Sequence, residues 1–146
     1  MPIILKIDGE VENPLEFSFD QLAAINSDHQ EADLTRLGLK QGGDAVRLKA
    51  LLEMAGVKTS AKYLGLHTSS DDFHASIPLE PVRESALIVY RAEGKPLETS
   101  AGGPFRFFIP NSAPCRTDEI DACANVKFID HIELMAEKGR DNRRGE

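Results

Sequence analysis

Ala86-Leu87-Ile88-Val89-Tyr90 is an unbroken apolar run that ends on an aromatic ring and includes two β-branched residues. It has the length of a strand and is too short for a buried helix. It also lacks the polar alternation of a strand with one wet face, which makes it the best candidate in the chain for a buried strand. Glu93-Gly94 follows as a turn. Gly102-Gly103-Pro104 then breaks the chain, and Phe105-Arg106-Phe107-Phe108-Ile109 reads as the next strand, closed by Pro110. Beyond it, Thr117 to Ala122 has room for one helical turn, and Val126 to Leu134 alternates as a last strand.

Upstream of the run, Pro81 suits the first turn of a short helix reaching Glu84. Tyr63 to His67 and Phe73 to Ile77 read as two strands of a hairpin, joined by the polar turn Thr68 to Asp72 and stopped at Pro78. Leu48, Leu51, Leu52 and Ala55 have helical spacing, and Gly56 is placed to end that helix. Asn26 to Gly43 is polar and glycine-bearing, a loop with a short strand or turn. Ser18-Phe19-Asp20-Gln21 has the form of a capping box, opening a helix that carries Leu22, Ala23 and Ile25. Ile3 to Ile7 and Leu15 to Phe17 complete the strands, with Asp8-Gly9 as a turn after the first. Short strands mixed with short helices, without a βαβ rhythm, predict an α+β fold of layered sheets. A single domain over residues 1–136 and a charged tail over 137–146 follow, with Arg140, Arg143 and Arg144 as a solvated end.

Composition narrows the function. The chain has 146 residues and a net charge of −7. That size supports a core without disulfide or metal, and the charge argues against nucleic acid or an anionic membrane as partner. Apolar runs fall short of a membrane span and no secretion signal is visible, which points to the cytoplasm. A small-molecule ligand, and an electron-transfer or other protein partner, remain open.

Common nucleotide and hydrolase motifs are absent: there is no Gly-x-Gly-x-x-Gly, no Gly-x-x-x-x-Gly-Lys-Ser/Thr and no Gly-x-Ser-x-Gly. His67 and His74 flank the predicted hairpin turn, so their side chains can approach one another. They read either as polar rim residues or as a weak metal site short of the usual ligand number. Cys115 and Cys123 lie eight apart in a loop, a spacing that fits no compact Cys-x-x-Cys knuckle. They read as inert thiols, as metal or cofactor ligands, or as a redox-sensitive pair.

Three segments in order carry a resemblance. The first is Leu5-Lys6-Ile7-Asp8-Gly9-Glu10-Val11-Glu12-Asn13-Pro14, running into Phe17-Ser18-Phe19-Asp20-Gln21-Leu22. The second is Val46-Arg47-Leu48-Lys49-Ala50-Leu51-Leu52-Glu53-Met54-Ala55-Gly56-Val57, continued through Ser69 to Leu79. The third is Gly94-Lys95-Pro96-Leu97, Gly102-Gly103-Pro104-Phe105-Arg106-Phe107-Phe108-Ile109-Pro110 and Asn125-Val126-Lys127-Phe128-Ile129. Together they resemble the molybdopterin-binding oxidoreductase domain of the sulfite oxidase family.

The resemblance implies an α+β domain that cradles a molybdenum–pterin cofactor and transfers oxygen atoms to sulfite or from sulfoxides. It implies Arg106, Lys127, Asp71, Phe73, His74, Gly102 and Gly103 as cofactor contacts. Fixed cations suit the phosphate of a pterin, and the two glycines allow close backbone approach. Read without the resemblance, Arg106 is a solvent-facing strand residue and Gly102-Gly103 a tight turn.

The sequence also departs from the family pattern. The family's metal-ligating cysteine lies between the first helix and the Val-x-Leu-x-x-Leu-Leu helix, but Asn26 to Ala45 contains none. The chain has no Trp, and Asp72-Phe73 stands where the family has Gly-Tyr. Three expectations result: a molybdopterin oxidoreductase with Cys115 or Cys123 as metal ligand, a non-enzymatic relative binding another ligand or a protein, or a thiolate site for a different metal.

Overall fold

A computed structural model of the chain describes residues 4–32, 34–37, 42–69, 72–110 and 125–141. The elements are β1 (Leu5–Gly9), β2 (Leu15–Phe17), α1 (Phe19–Ala23), β3 (Gln30–Glu31), β4 (Asp44–Arg47), α2 (Leu48–Ala55), β5 (Tyr63–Thr68), β6 (Phe73–Pro78), β7 (Leu87–Ala92), β8 (Lys95–Pro96), β9 (Arg106–Phe108) and β10 (His131–Met135). One sheet has the order β2-β1-β10-β5-β6, and the other β3-β4-β7-β8 with β9 also on β7. The β1–β10 pair is parallel, and the other pairs are antiparallel. This is the expected mixed α+β architecture.

The apolar run ending at Tyr90 is the hub of the second sheet, where β7 pairs with β4, β8 and β9. Ile88 and Tyr90 face the larger core, and Leu87 and Val89 face a smaller one with Leu34, Ala45, Leu97 and Phe108. Both faces are covered, which is why the run shows no alternation. The larger core joins the inner faces of the two sheets to α2, whose Leu48, Leu51, Leu52 and Ala55 are buried. Gly56 closes α2 at φ 69, its N–H donating to the Leu52 carbonyl. The capping box forms as read: Gln21 N–H donates to the Ser18 hydroxyl, and Gln21 Oε1 accepts from Ser18 N–H at 2.8 Å.

Three expected elements are corrected. The first strand runs on through Asp8 and Gly9, because both pair with β10. Pro81 to Ser85 forms successive turns in place of a helix. The last strand begins only at His131. Val126 to Asp130 is instead a connector, in which the Val126 carbonyl accepts from Phe107 N–H and Ile129 N–H donates to the Phe105 carbonyl, each at 2.9 Å. Those bonds to β9 and its neighbour tie the two sheets together. The helical turn expected over 117–122 lies outside the described residues.

Tyr90 anchors the irregular stretch between the helices. Its hydroxyl donates to Gln30 Oε1 at 2.7 Å, and Gln30 Nε2 donates to the carbonyls of Leu22 and Ile25. Tyr90→Phe should cost about 1 kcal/mol, the usual net value of a buried neutral hydrogen bond. Burial also raises the Tyr90 pKa above its ordinary value. The unfolded chain therefore loses this proton first as pH rises past about 10, so stability falls there. Urea unfolding should show a smaller alkaline decline in Tyr90→Phe than in the wild type.

Candidate functional site

The 3-10 turn Thr99–Ala101 ends at Gly102, which holds φ 94. Its carbonyl accepts from Phe128 N–H at 2.8 Å, and Gly103 N–H donates to the Glu98 carbonyl at 2.9 Å. A Cβ on Gly102 would stand 2.9 Å from Lys127 Cγ and 3.1 Å from Arg106 Cδ. The missing side chain is thus what lets the Arg106 and Lys127 stems both pack over Gly102. Arg106 Nη1 donates to the Ala101 carbonyl at 3.4 Å. Burial pulls its guanidinium below the ordinary value, and the group still stays charged near neutrality. Arg106 is therefore a half-buried residue, not a solvent-facing one.

The hairpin end leans on the same loop. The Thr68 hydroxyl donates to the Lys127 carbonyl at 3.0 Å. Phe73 is the cross-strand partner of Thr68 and packs on the larger core. Gly102, Gly103, Arg106 and Lys127 are brought into one cluster, and Phe73 reaches it through Thr68. His74, one residue on, turns to the outer face of the first sheet. Asp71, Cys115 and Cys123 lie outside the described residues. Arg140 has an exposed side chain that meets Asp72 at 3.5 Å, and its neighbours are tied down: Gly139 N–H donates to the Ser76 hydroxyl, and Ser76 N–H donates to Asp141. Arg143 and Arg144 lie outside the described residues.

A second cluster was only half legible in the sequence. Register places His131 opposite His67 and His67 opposite His74, so three imidazoles stand in a row across β10, β5 and β6. The His67 ring lies 5.0 Å from each of the other two, centroid to centroid. His67 Nδ1 and His74 Nδ1 are 2.8 Å apart. Each ring also faces a carboxylate through Nε2: His67 with Glu133 at 3.1 Å, His74 with Asp72 at 2.8 Å and His131 with Asp8 at 2.6 Å. Burial lowers the His67 pKa, with the Glu133 contact opposing it. The His74 hydrogen bond and the Arg140 charge hold the Asp72 carboxyl below the usual range. Strand alternation could have placed His131 beside the hairpin pair, but the pairing of β10 with β5 is not visible in sequence.

A surface cavity of about 350 Å³ bordered by Lys58, Lys62 and Arg83 shares no residue with either cluster. No helix among the described residues is long and apolar enough to cross a membrane.

A model of the oxidoreductase molybdopterin binding domain matches residues 44–142. The chain belongs to this family. The match contains Gly102, Gly103, Arg106, Lys127 and all three clustered histidines. The uncharacterized oxidoreductase YuiH of Bacillus subtilis (strain 168) is 31% identical over 114 residues, covering 73% of this chain and 56% of YuiH. The chain thus spans about half the length of that relative. The crystal structure of the sulfane dehydrogenase SoxCD from Paracoccus pantotrophus shares the fold, with a TM-score of 0.73 at 20% identity over 97% of this chain and 40% of that one.

The residues present fit the anionic end of the family's cofactor. Two cations rooted on one glycine, one of them half-buried, make the kind of donor set a phosphate takes. The thiolate side of the fit rests on sequence alone, since Asn26 to Ala45 holds no cysteine and the chain's two cysteines are Cys115 and Cys123.

Proposed function

We propose that the chain binds a molybdopterin-type cofactor, with Arg106 and Lys127 holding its phosphate and the Gly102–Gly103 loop letting backbone approach it. The observation that carries this reading is the convergence of both cationic stems on Gly102. When bound, such a cofactor supplies two-electron oxygen-atom transfer. The chain's own contribution is charge, orientation and partial exclusion of water. Arg106 offers a planar fork of donors, and the burial that depresses its pKa also strengthens its pull on an anion. Thr68 fixes the Lys127 backbone and so the root of the second cation.

Cys115 and Cys123 are the candidate ligands for molybdenum, as soft thiolates suited to such a metal. A second reading is a non-enzymatic relative that keeps the fold and a small anionic ligand. The cysteine-free segment from Asn26 to Ala45 favours it, because fold alone does not fix function. In either reading a small-molecule ligand is the primary partner, and an electron-transfer protein is a partner only in the first. A reducing compartment such as the cytoplasm suits a domain that needs no disulfide to build its core.

The test is pterin and elemental analysis of protein made in a cofactor-competent host. Near-stoichiometric fluorescent pterin after oxidative release is the expected result, and pterin-free protein overturns the reading. Stoichiometric molybdenum that disappears in Cys115→Ser or Cys123→Ser selects the oxidoreductase. Pterin without the metal selects the non-enzymatic relative.

A further inference from the structure

The cavity beside Lys58, Lys62 and Arg83 is formed by two short connectors. Residues 57–62 join α2 to β5, and residues 79–83 join β6 to β7. Both are tied down at the residues that carry charge. Lys58 N–H donates to the Glu10 carbonyl at 3.0 Å, Lys62 N–H to the Met135 carbonyl at 2.8 Å, and Arg83 N–H to the Leu79 carbonyl at 3.0 Å. The connectors are also bonded to each other, Leu79 N–H donating to the Lys62 carbonyl at 3.0 Å. The three cations thus rise from fixed backbone, so binding there orders side chains and no loop.

The lining divides by chemistry. Leu79 is 1% exposed, and with Val57 and Ala61, both packed on the larger core, it supplies an apolar wall. The charged part is unbalanced, with three cations against the single carboxylate of Glu80. Glu80 meets Arg83 at 3.8 Å with 85% of its side chain exposed, a loose pair that contributes little and is readily exchanged for a better anion. Lys58 and Lys62 have no carboxylate partner among the described residues. In a chain of net charge −7, this patch runs against the average field and is a place where an anion concentrates.

We propose that this cleft binds a small organic phosphate monoester, its phosphate held by Lys58, Lys62 and Arg83 and its apolar body laid against Val57, Ala61 and Leu79.

Three cations less one carboxylate leave +2 on the lining. A phosphate monoester carries about −1.5 to −2 near neutrality, which matches it. The Arg83 guanidinium presents a planar fork to two phosphate oxygens, and the lysines add point charges. The volume of about 350 Å³ stands at the small end of ligand sites, roughly 300–1,000 Å³, with space for an apolar body beside the phosphate. The apolar wall is why an organic ester is favoured over inorganic phosphate. The cleft shares no residue with the Arg106–Lys127 cluster and does not depend on the pterin reading.

The test is titration of the ¹⁵N-labelled full chain with phenyl phosphate, followed by backbone amide shifts. Saturable shifts should centre on Lys58, Ala61, Lys62, Leu79 and Arg83. Inorganic phosphate, which lacks the apolar body, and benzyl alcohol, which lacks the charge, should each bind at least 10-fold more weakly. Lys62→Ala and Arg83→Ala should each weaken phenyl phosphate roughly 5-fold or more, and Arg83→Lys should fall between Arg83→Ala and the wild type. Lys95→Ala, which removes an exposed cation elsewhere, should bind as the wild type does. No saturable shift at the cleft, equal binding of inorganic phosphate, or wild-type affinity in the Lys58→Ala/Lys62→Ala double variant would each overturn the proposal. Shifts confined to Gly102, Arg106 and Lys127 would overturn it and leave the pterin reading standing. Pterin-free protein whose cleft still responds would do the reverse.

Discussion

Replacing Gly103 with alanine should leave little folded protein. The new Cβ would lie 2.0 Å from the Leu97 carbonyl oxygen and 2.5 Å from its carbon. Neither is the end of a flexible side chain. Leu97 is fixed by its N–H to the Tyr90 carbonyl within β7, and Gly103 by its N–H to the Glu98 carbonyl. Relief therefore needs backbone movement, which would break hydrogen bonds beside both cores. Overpacking against side chains costs about 1–3 kcal/mol, and a backbone obstacle belongs at or beyond the top of that range. Against a total stability of about 5–15 kcal/mol this is a large share. Gly94→Ala is the control: nothing lies within 4 Å of its added Cβ, and only its φ of 77 is unfavourable. It should cost about 1–2 kcal/mol. Urea midpoints measure both, and a Gly103→Ala midpoint equal to that of Gly94→Ala would refute the steric account.

Removing the two cations should empty the cofactor site while the fold survives. A hydrogen bond to a charged group contributes about 1.5–3 kcal/mol, so Arg106→Ala and Lys127→Ala should each lower pterin retention about 10- to 150-fold. Arg106→Lys keeps the charge and loses the planar fork, and should fall between wild type and alanine. Arg106 is half-buried, so the alanine variant needs an unfolding measurement beside the pterin assay. Normal unfolding with lost pterin assigns the residue to the ligand. Pterin retained in the double variant would remove both residues from the cofactor's contacts.

Much of this arrangement was readable where local chemistry decides. Ser18 and Gln21 specify their capping box within four residues, and Gly56 ends α2 for a reason internal to the helix. The apolar run at Leu87 to Tyr90 announces its burial without saying which core each side chain enters. Local pattern misleads where a distant partner overrides it. Val126 to Asp130 alternates like a strand, but its backbone groups are taken by Phe105 and Phe107, so it forms a connector. Gly9 looks like a turn residue and is a strand residue, because β10 passes too close for any side chain there. Only the family resemblance singles out Gly102, Gly103, Arg106 and Lys127, and nothing in their spacing reveals that two stems lie over one glycine. His67 and His74 were legible as a facing pair. His131 was not, since its place beside them depends on the pairing of β10 with β5.

The position of β10 between β1 and β5 also sets a schedule for folding. Asp8 and His131 touch across that junction although 123 positions separate them in the chain. Strands β3 to β9 pair over a much shorter span and can form while the rest is still being made. The first sheet cannot close until its middle strand arrives, and contacts of such long sequence separation are slow to form. Until then the facing edges of β1 and β5 are unpaired backbone, open to any other extended chain that reaches them first.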